Sequence, residues 1–436
     1  MYWRQRYAVA SYARSSVWLV PFAAFAASFA IIRLLGLLDS DMRWTWSWRL
    51  EVPVVQNVLE GFVAAMLSFI VFTSSSLLVA IQIASAQLTP RIIATALLRD
   101  NTIRGIIALF VLTLAFNLGV LARAQSVVPY LLFTFAVGFT IASVTAFLYL
   151  IDYAARLLRP VTIVWRLGDA GLKVVDEIYP SRVEGGPSNA PAMPVLLAPA
   201  REVGHAGRSG IVLACDIEAL REEASRTGGV VEFACRVGDF VATGETIFRL
   251  HGAAAGADID RLRGSVALGR ERTIEQDVTF AFRVIVDIAV KALSRAINDP
   301  TTAVLAIDQL HRLLRSVGRR HLHDDIIPNA RGAAGVVFRT PDWKDFVELS
   351  CREIRLYGVE NFQVARRLRA MLENLLRTLP ERRAPALQRE LDLLDRAIDL
   401  THAQPEDRAL CRVPDLQGLG SSPHRDDRDA GALPAA

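Results

Sequence analysis

Hydrophobic positions fall into two regimes along this chain. Up to about residue 160 they form long unbroken runs; beyond it they alternate, or recur every third and fourth residue. Four runs, at residues 17–38, 61–86, 105–122 and 130–151, are about long enough to cross a ~30 Å hydrocarbon core at 1.5 Å per helical residue. Arg33 lies near the outer end of the first run, where its stem can carry the charge to the headgroups. No charged residue occurs between Glu60 and Arg91, a stretch longer than one crossing needs, so the second helix is expected to tilt or project.

Arginine placement sets the expected orientation. Arg4, Arg6 and Arg14 precede the first run, Arg91, Arg99 and Arg104 separate the second and third, and Arg156 and Arg159 follow the fourth. The intervening loops are less basic: residues 39–56 mix Asp39, Asp41 and Glu51 with Arg43 and Arg49, and residues 123–129 hold only Arg123. The positive-inside rule then predicts a multi-pass protein with both termini in the cytoplasm. Trp44, Trp46 and Trp48 alternate in the first outer loop as an interfacial anchor would. No small-residue cleavage site follows the first run, so it reads as a retained span rather than a signal peptide.

The second run carries a polar stripe. Ser68, Ser75, Gln82 and Thr89 are spaced seven apart and drift only about 60° around a helix, with Ser85 beside them. Such a stripe lines a pore or substrate path, or forms a helix–helix seam where small and hydroxylated residues let backbones approach. Asn117, alone in the third run, reads as an interhelical hydrogen-bonding residue.

Past the spans the patterns are those of a folded module outside the bilayer. Residues 161–194 read as a connecting helix ending in the Gly/Pro/Ser-rich linker VEGGPSNAPAMP. Residues 195–252 read as a small β module: a strand at 209–216, a short helix at 217–226, and two strand runs with turns at Val237-Gly238-Asp239 and Gly244. The phrase VGDFVATGE resembles turns of barrel-sandwich carrier modules. The chain's three lysines, Lys173, Lys291 and Lys344, all lie outside the module, which excludes covalent cofactor attachment there. Residues 264–403 read as an α-helical cytosolic domain, and 404–436 as a disordered tail poor in large apolar residues. The expected fold class is thus a four-span α-helical membrane domain followed by a small β module and a helical cytosolic domain.

Composition narrows the chemistry. The chain has 436 residues, 52% of them hydrophobic, and a net charge of +4, too small to argue for nucleic acid. Its four cysteines, Cys215, Cys235, Cys351 and Cys411, are far apart with no CxxC, which fits reduced thiols rather than a disulfide or metal framework. GxSxG, HExxH, Walker A and Rossmann fingerprints are missing from the sequence. HLHDD, from His321 to Asp325, together with Asp277, Asp287, Asp299 and Asp308, is the main material for an enzyme reading. Alternate histidines in a surface turn are more often solvent-facing, so no metal, cofactor or catalytic residue is expected.

The most distinctive stretch is residues 272–308, RTIEQDVTFAFRVIVDIAVKALSRAINDPTTAVLAID. Ile274, Val278, Ala281, Ile285, Ile288 and Ala292 mark one helical face, and Arg283, Asp287 and Lys291 form an alternating ladder expected to be solvated. Asn298 suits the residue after a helix end, Asp299 the cap of the next helix and Pro300 its first position. The corner is therefore either a complete helix joint or, with Arg283 and Asp287, the rim of a polar cavity. The run RTxxQDxxFxxRxxVDIAxxALSxAINDPTTA, with QLTPR at residues 87–91, resembles a bacterial family of predicted membrane proteins known only as a domain of unknown function. The resemblance spans roughly residues 10–400, although the family often has proline where this chain has Arg295. It implies an inner-membrane architecture and nominates Arg272, Gln276, Asp277, Arg283, Asp287, Asn298, Asp299 and Asp308 as a polar site. The expected function is a homo-oligomeric channel or transport-related protein with the lipid bilayer as its surroundings; the alternative is a membrane-anchored sensor or scaffold whose cytosolic helices bind a partner or small ligand.

Overall fold

A computed structural model describes residues 3–16, 18–41, 51–87, 100–125, 128–157, 159–182, 196, 198–322, 326–329 and 333–420. The tryptophan loop at 44–48, residues 88–91 of QLTPR, the linker at 183–194 and His323–Asp325 of HLHDD lie outside the described residues. The chain divides into two compact units: residues 9–86 with 90–163, and residues 164–436 with 1–8 and 87–89.

The chain begins with helix α1 (Trp3–Ser15), divided between the two units at residues 8 and 9; the first unit continues with α2 (Leu19–Asp41), α3 (Val52–Gln87), α4 (Asn101–Leu121) and α5 (Tyr130–Leu157). The last four are long and apolar enough to cross a membrane. Each of the four apolar runs coincides to within two residues with, or lies inside, one of these helices, but α3 begins nine residues before the charge-free run does. At 36 residues it is about 54 Å long, well beyond one crossing.

Helices α2 and α4 approach closely because Gly119 has no side chain: a Cβ there would overlap the Ile32 side chain. The α4–α5 seam is held by polar pairs, Thr113 with Ser143 at 2.9 Å and the Asn117 amide donating to Thr140 at 3.2 Å. Asn117 thus makes the interhelical bond its isolation in an apolar run implies. Burial is uneven, since 56% of the apolar window of α4 is buried but only 11% of that of α3. Helix α3 turns Val55, Leu59, Met66, Thr73 and Ala80 inward, and Phe69 stacks on Phe147 at 4.3 Å.

The second unit opens with α6 (Pro160–Ile178), whose small residues Gly168 and Gly171 let it lie against Gln309 and Leu313 of a later helix. Then come the strands β1 (Arg201–Gly204) and β2 (Gly210–Cys215), helix α7 (Ile217–Thr227), and strands β3 (Val230–Phe233), β4 (Phe240–Val241) and β5 (Thr246–His251). Asp216 caps α7 and Gly228, at φ +73°, ends it. Gly238 and Gly244 take φ of +96° and +91°, so both turn glycines stand where the sequence places them. A short helix α8 (Ile259–Gly264) leads to β6 (Val266–Gly269).

The helices α9 (Val278–Ala292) and α10 (Pro300–Gly318) follow, then a hairpin of β7 (Ile326–Pro328) and β8 (Ala334–Phe338), then α11 (Trp343–Gly358), α12 (Phe362–Thr378), α13 (Ala384–Thr401) and α14 (Pro405–Cys411). The strands form two sheets, β1-β5-β3-β8-β7 and β4-β2-β6. Strand β8 runs parallel to β3, pairing Val231 with Val336 and Phe233 with Phe338. The β module therefore reaches beyond residues 195–252: it takes β6, β7 and β8 from within the expected helical domain. On the outer face of the larger sheet, Arg249 donates to Glu232 of β3 at 2.9 Å and lies 3.6 Å from Glu202 of β1, a cross-strand ladder at matched register.

Residues 404–420, expected to belong to a disordered tail, are structured. Cys411 of α14 is fully buried, and the chain beyond it is fastened to α12 by Arg366, whose guanidinium donates to the Val413 carbonyl at 3.0 Å. Asp415 then accepts from the backbone N–H groups of Gln417, Gly418 and Gly420 at 3.0, 2.9 and 2.6 Å. Gly418 and Gly420, both at φ +71°, allow the chain to curl around that carboxylate. A few polar anchors order a segment whose apolar content is low. Asp415→Ala leaves those donors to water and is expected to cost about 1–2 kcal/mol, read as a lower midpoint in chemical denaturation of the purified protein.

Candidate functional site

The nominated residues of the 272–308 stretch are each engaged by a different neighbour. Arg272 and Asp277 form an ion pair at the start of α9, where Asp277 is buried and accepts the Phe280 N–H at 2.9 Å as helix cap. Thr279 adds a 2.6 Å bond to the same carboxylate. The Arg272 guanidinium lies over the Phe280 ring and directly beneath Gly238, where any Cβ would overlap it. One residue before the cap, the Gln276 side-chain carbonyl accepts the backbone N–H of Cys215 at the end of β2 at 3.1 Å. The RTxxQD segment is thus where α9 is bolted to the β module.

The second half ties helices together. Arg283 donates to Asp287 at 2.7 Å and reaches across to Glu353 of α11 with two bonds, one of them at 2.8 Å. Its side chain is only 28% exposed and that of Asp287 16%. The ladder expected to be solvated is therefore a clamp between α9 and α11, because Glu353 supplies a bidentate acceptor that sequence spacing does not reveal. Asp308 of α10 pairs likewise with Arg367 of α12 at 2.6 Å.

The corner is built differently from its sequence reading. Helix α9 ends at Ala292, with Leu293 as its cap, and residues 294–297 turn before Asn298. Asn298, at φ +48°, is the only non-glycine with positive φ among the described residues, and it lets the Asp299 N–H return to the Ala292 carbonyl at 2.8 Å. Asp299 caps α10 through Thr302, with Pro300 in its first turn, as expected. Arg295 sits in the turn already outside α9, so the proline common at that position in the resembling family meets no helix to break.

A cavity of about 380 Å³ adjoins the joint. The end of α6, the start of α7, strand β3 with the turn after it, the first turn of α9, and β8 with the segment after it supply its wall. Gln276 and Asp277 are the signature residues that face it. The rest of its wall is mostly apolar, with Arg236 and Arg339 among the polar exceptions. Its size falls in the range of small-ligand pockets.

The cavity also holds two thiols, Cys215 and Cys235. Burial, reinforced by Asp216, pushes the Cys215 thiol well above the ordinary range. Burial with Asp239 and Glu245 pushes Cys235 up to about 11. Burial thus favours the neutral thiol over the thiolate at both positions. Asp277, Asp287, Asp299 and Asp308 are each committed to separate partners, and no group of three His, Cys, Asp or Glu side chains placed to hold a metal occurs among the described residues.

In the polar stripe of α3, Ser68, Ser75 and Gln82 are exposed, on a different face from Met66, Thr73 and Ala80, which pack inside the unit. The Ser68 hydroxyl donates to the Ala64 carbonyl at 2.9 Å. The Ser85 side chain and Thr89 lie outside the described residues. Sequence reasoning missed Glu353, Arg367 and the cavity wall, since each becomes relevant only through tertiary contact.

The clamp yields a testable consequence. Hydrogen bonds from Arg283 hold the Glu353 carboxyl below its ordinary range, against a smaller opposing effect of burial. Its contribution is present above the ordinary glutamate value of ~4.3 and is lost as pH falls through the depressed folded value. Allowing for solvent at the 37% exposed Glu353, Arg283→Ala is expected to cost about 1–2 kcal/mol at neutral pH. The difference from wild type should narrow below about pH 4 in denaturation curves.

Among proteins of known sequence, similar chains occur in mycobacteria. Uncharacterized proteins of Mycobacterium bovis and of Mycobacterium tuberculosis strain H37Rv are each 29% identical over 430 residues, covering 93% of this chain and 80% of the relative. That of strain CDC 1551 is 28% identical over the same extent. No solved structure matches. The family model described as predicted membrane protein (DUF2254) matches residues 14–374, which takes in α2 to α5, the β module, the 272–308 stretch and most of α12, and the chain belongs to that family.

Proposed function

We propose that this protein is a membrane-anchored ligand sensor. Its four apolar helices sit in the bacterial inner membrane with both termini in the cytoplasm, as the arginine distribution supports. The unit that follows binds a small molecule in the cavity beside the joint. The observation that carries this reading is that one cavity is walled by both the β module and the first turn of α9, with Gln276 and Asp277 in the wall. A ligand there touches the end of β2, the turn after β3 and the cap of α9 at once. Helix α9 carries the Arg283 clamp to α11, so occupancy alters the footing of the helical bundle.

The test is a small-molecule thermal-shift screen of the full chain in nanodiscs, run in parallel on Ile217→Trp. Ile217 lines the cavity yet is 38% exposed, so a larger ring is accommodated while it fills the space. The expected outcome is at least one compound that raises the midpoint of the wild type by several degrees, leaves the variant unmoved, and slows amide exchange at residues 276–281. A screen in which every hit acts equally on both proteins contradicts the reading.

A second reading, a homo-oligomeric channel or transport-related protein, is favoured by α3. Asn57, Gly61, Ala64, Ser68, Val71, Ser75, Leu78 and Gln82 follow a three–four spacing, and all are exposed. A Cβ at Gly61 would meet nothing within 4 Å. Small and polar residues at coiled-coil spacing on the outside of a spanning helix suit contact with α3 of another copy or the lining of a path between copies. Ser75→Cys is expected to cross-link between copies in native membranes under mild oxidation, whereas Met66→Cys, which points inward, is not. Failure of Ser75→Cys to cross-link contradicts this assembly, and a cross-linked oligomer that passes no ion current in liposomes removes the channel from it.

A further inference from the structure

The ligand-binding reading leaves open what the cavity takes, and its wall narrows the answer. Ile178, Leu220, Phe233, Val336 and Phe338 present apolar surface on several sides, which suits a hydrocarbon or aromatic body. Cys215 and Cys235 remain neutral thiols and add soft, apolar contact. The cavity's cations are Arg236 and Arg339. Arg339 is exposed, and Arg236 is 42% exposed and only 3.7 Å from Asp345, too far for a hydrogen bond, so its donors are available to a better acceptor.

The acids of the wall are Asp277 and Glu177. Asp277 is already engaged by Arg272 and by the Phe280 N–H in the first turn of α9. Glu177, exposed at the end of α6, is the one acid there that opposes an incoming anion. Guanidinium groups pair with a carboxylate through two parallel bonds, which gives orientation as well as attraction.

We infer that the cavity binds a small organic anion: an apolar or aromatic body held between α7, β3 and β8, carrying one anionic head group that meets Arg236 and Arg339. This rests on the ligand-binding reading and adds the chemical class. A neutral molecule of the same shape fills the same space without a partner for the two guanidinium groups, so it binds more weakly. A cationic analogue meets both arginines and is rejected.

The test uses full-length protein in nanodiscs and isothermal titration with 4-phenylbutyrate and its neutral isostere 4-phenylbutyramide. The expected result is at least tenfold tighter binding of the carboxylate. Arg236→Gln with Arg339→Gln reduces the carboxylate to the affinity of the amide, Glu177→Gln tightens it, and Ile217→Trp abolishes both. Arg236, Arg339 and Glu177 are all at the surface, so these variants fold, which thermal unfolding checks. Equal affinity of the two probes in wild type, with both lost in Ile217→Trp, overturns the anionic class and leaves the ligand-binding reading standing. Absence of any binding lost in Ile217→Trp overturns the assignment of this class, while the unbiased screen above decides the wider reading separately.

Discussion

The Arg272–Asp277 ion pair beneath Gly238 is the contact on which the arrangement of the second unit turns. It sets the cap of α9, fixes the guanidinium against a backbone turn that only glycine can make, and lies one residue from the Gln276 bond to Cys215. Partly buried charge is costly unless its partners are close and well directed, and here the cap N–H, the Thr279 hydroxyl and Arg272 all meet one carboxylate. With the first turn of α9 held to the β module, the space between them is a defined cavity rather than a sliding contact. The Arg283–Glu353 and Arg367–Asp308 pairs then hold α9 to α11 and α10 to α12. Helical capping and ion pairing engage Arg272, Asp277, Arg283, Asp287, Asp299 and Asp308, while Gln276, Asp277 and Val278 of the same stretch also line the cavity.

The unit of apolar helices uses polar residues in two distinct ways. Between α4 and α5 the Thr113–Ser143 and Asn117–Thr140 pairs are buried and hydrogen-bonded across the helices, an arrangement that fixes register where apolar packing alone is permissive. On α3 Ser68, Ser75 and Gln82 lie on the outside, away from the face that packs on Ile32, Phe116 and Phe110. Ser68, Ser75 and Gln82 of the stripe thus lie outside the packed core of the single chain.

Much of this architecture is legible in the amino-acid order. Long apolar runs place four helices because hydrocarbon tolerates little else. Gly238, Gly244, Asp216 and the Asp299-Pro300 pair announce their turns and caps because those conformations admit few residues. What stayed hidden depends on long-range contact. Strand β8 is five residues with no alternation long enough to read, and it becomes a strand by pairing with β3 more than 100 positions earlier. Glu353 looks like any exposed glutamate on an amphipathic helix until α11 brings it to Arg283. The order in residues 404–420 comes from Asp415, which composition counts as a sign of a solvated tail, and from Arg366 of α12, which reaches that segment only through tertiary contact.

Amide hydrogen exchange on full-length Arg272→Ala tests the central claim, that the start of the signature bolts α9 to the β module and so shapes the cavity. Exchange is expected to rise together at residues 212–216, in the turn at 238–241 and at 277–281, with the N-terminus of α10 at 299–303 unchanged. An increase confined to α9, with protection at Cys215 and around Gly238 as in wild type, would contradict it.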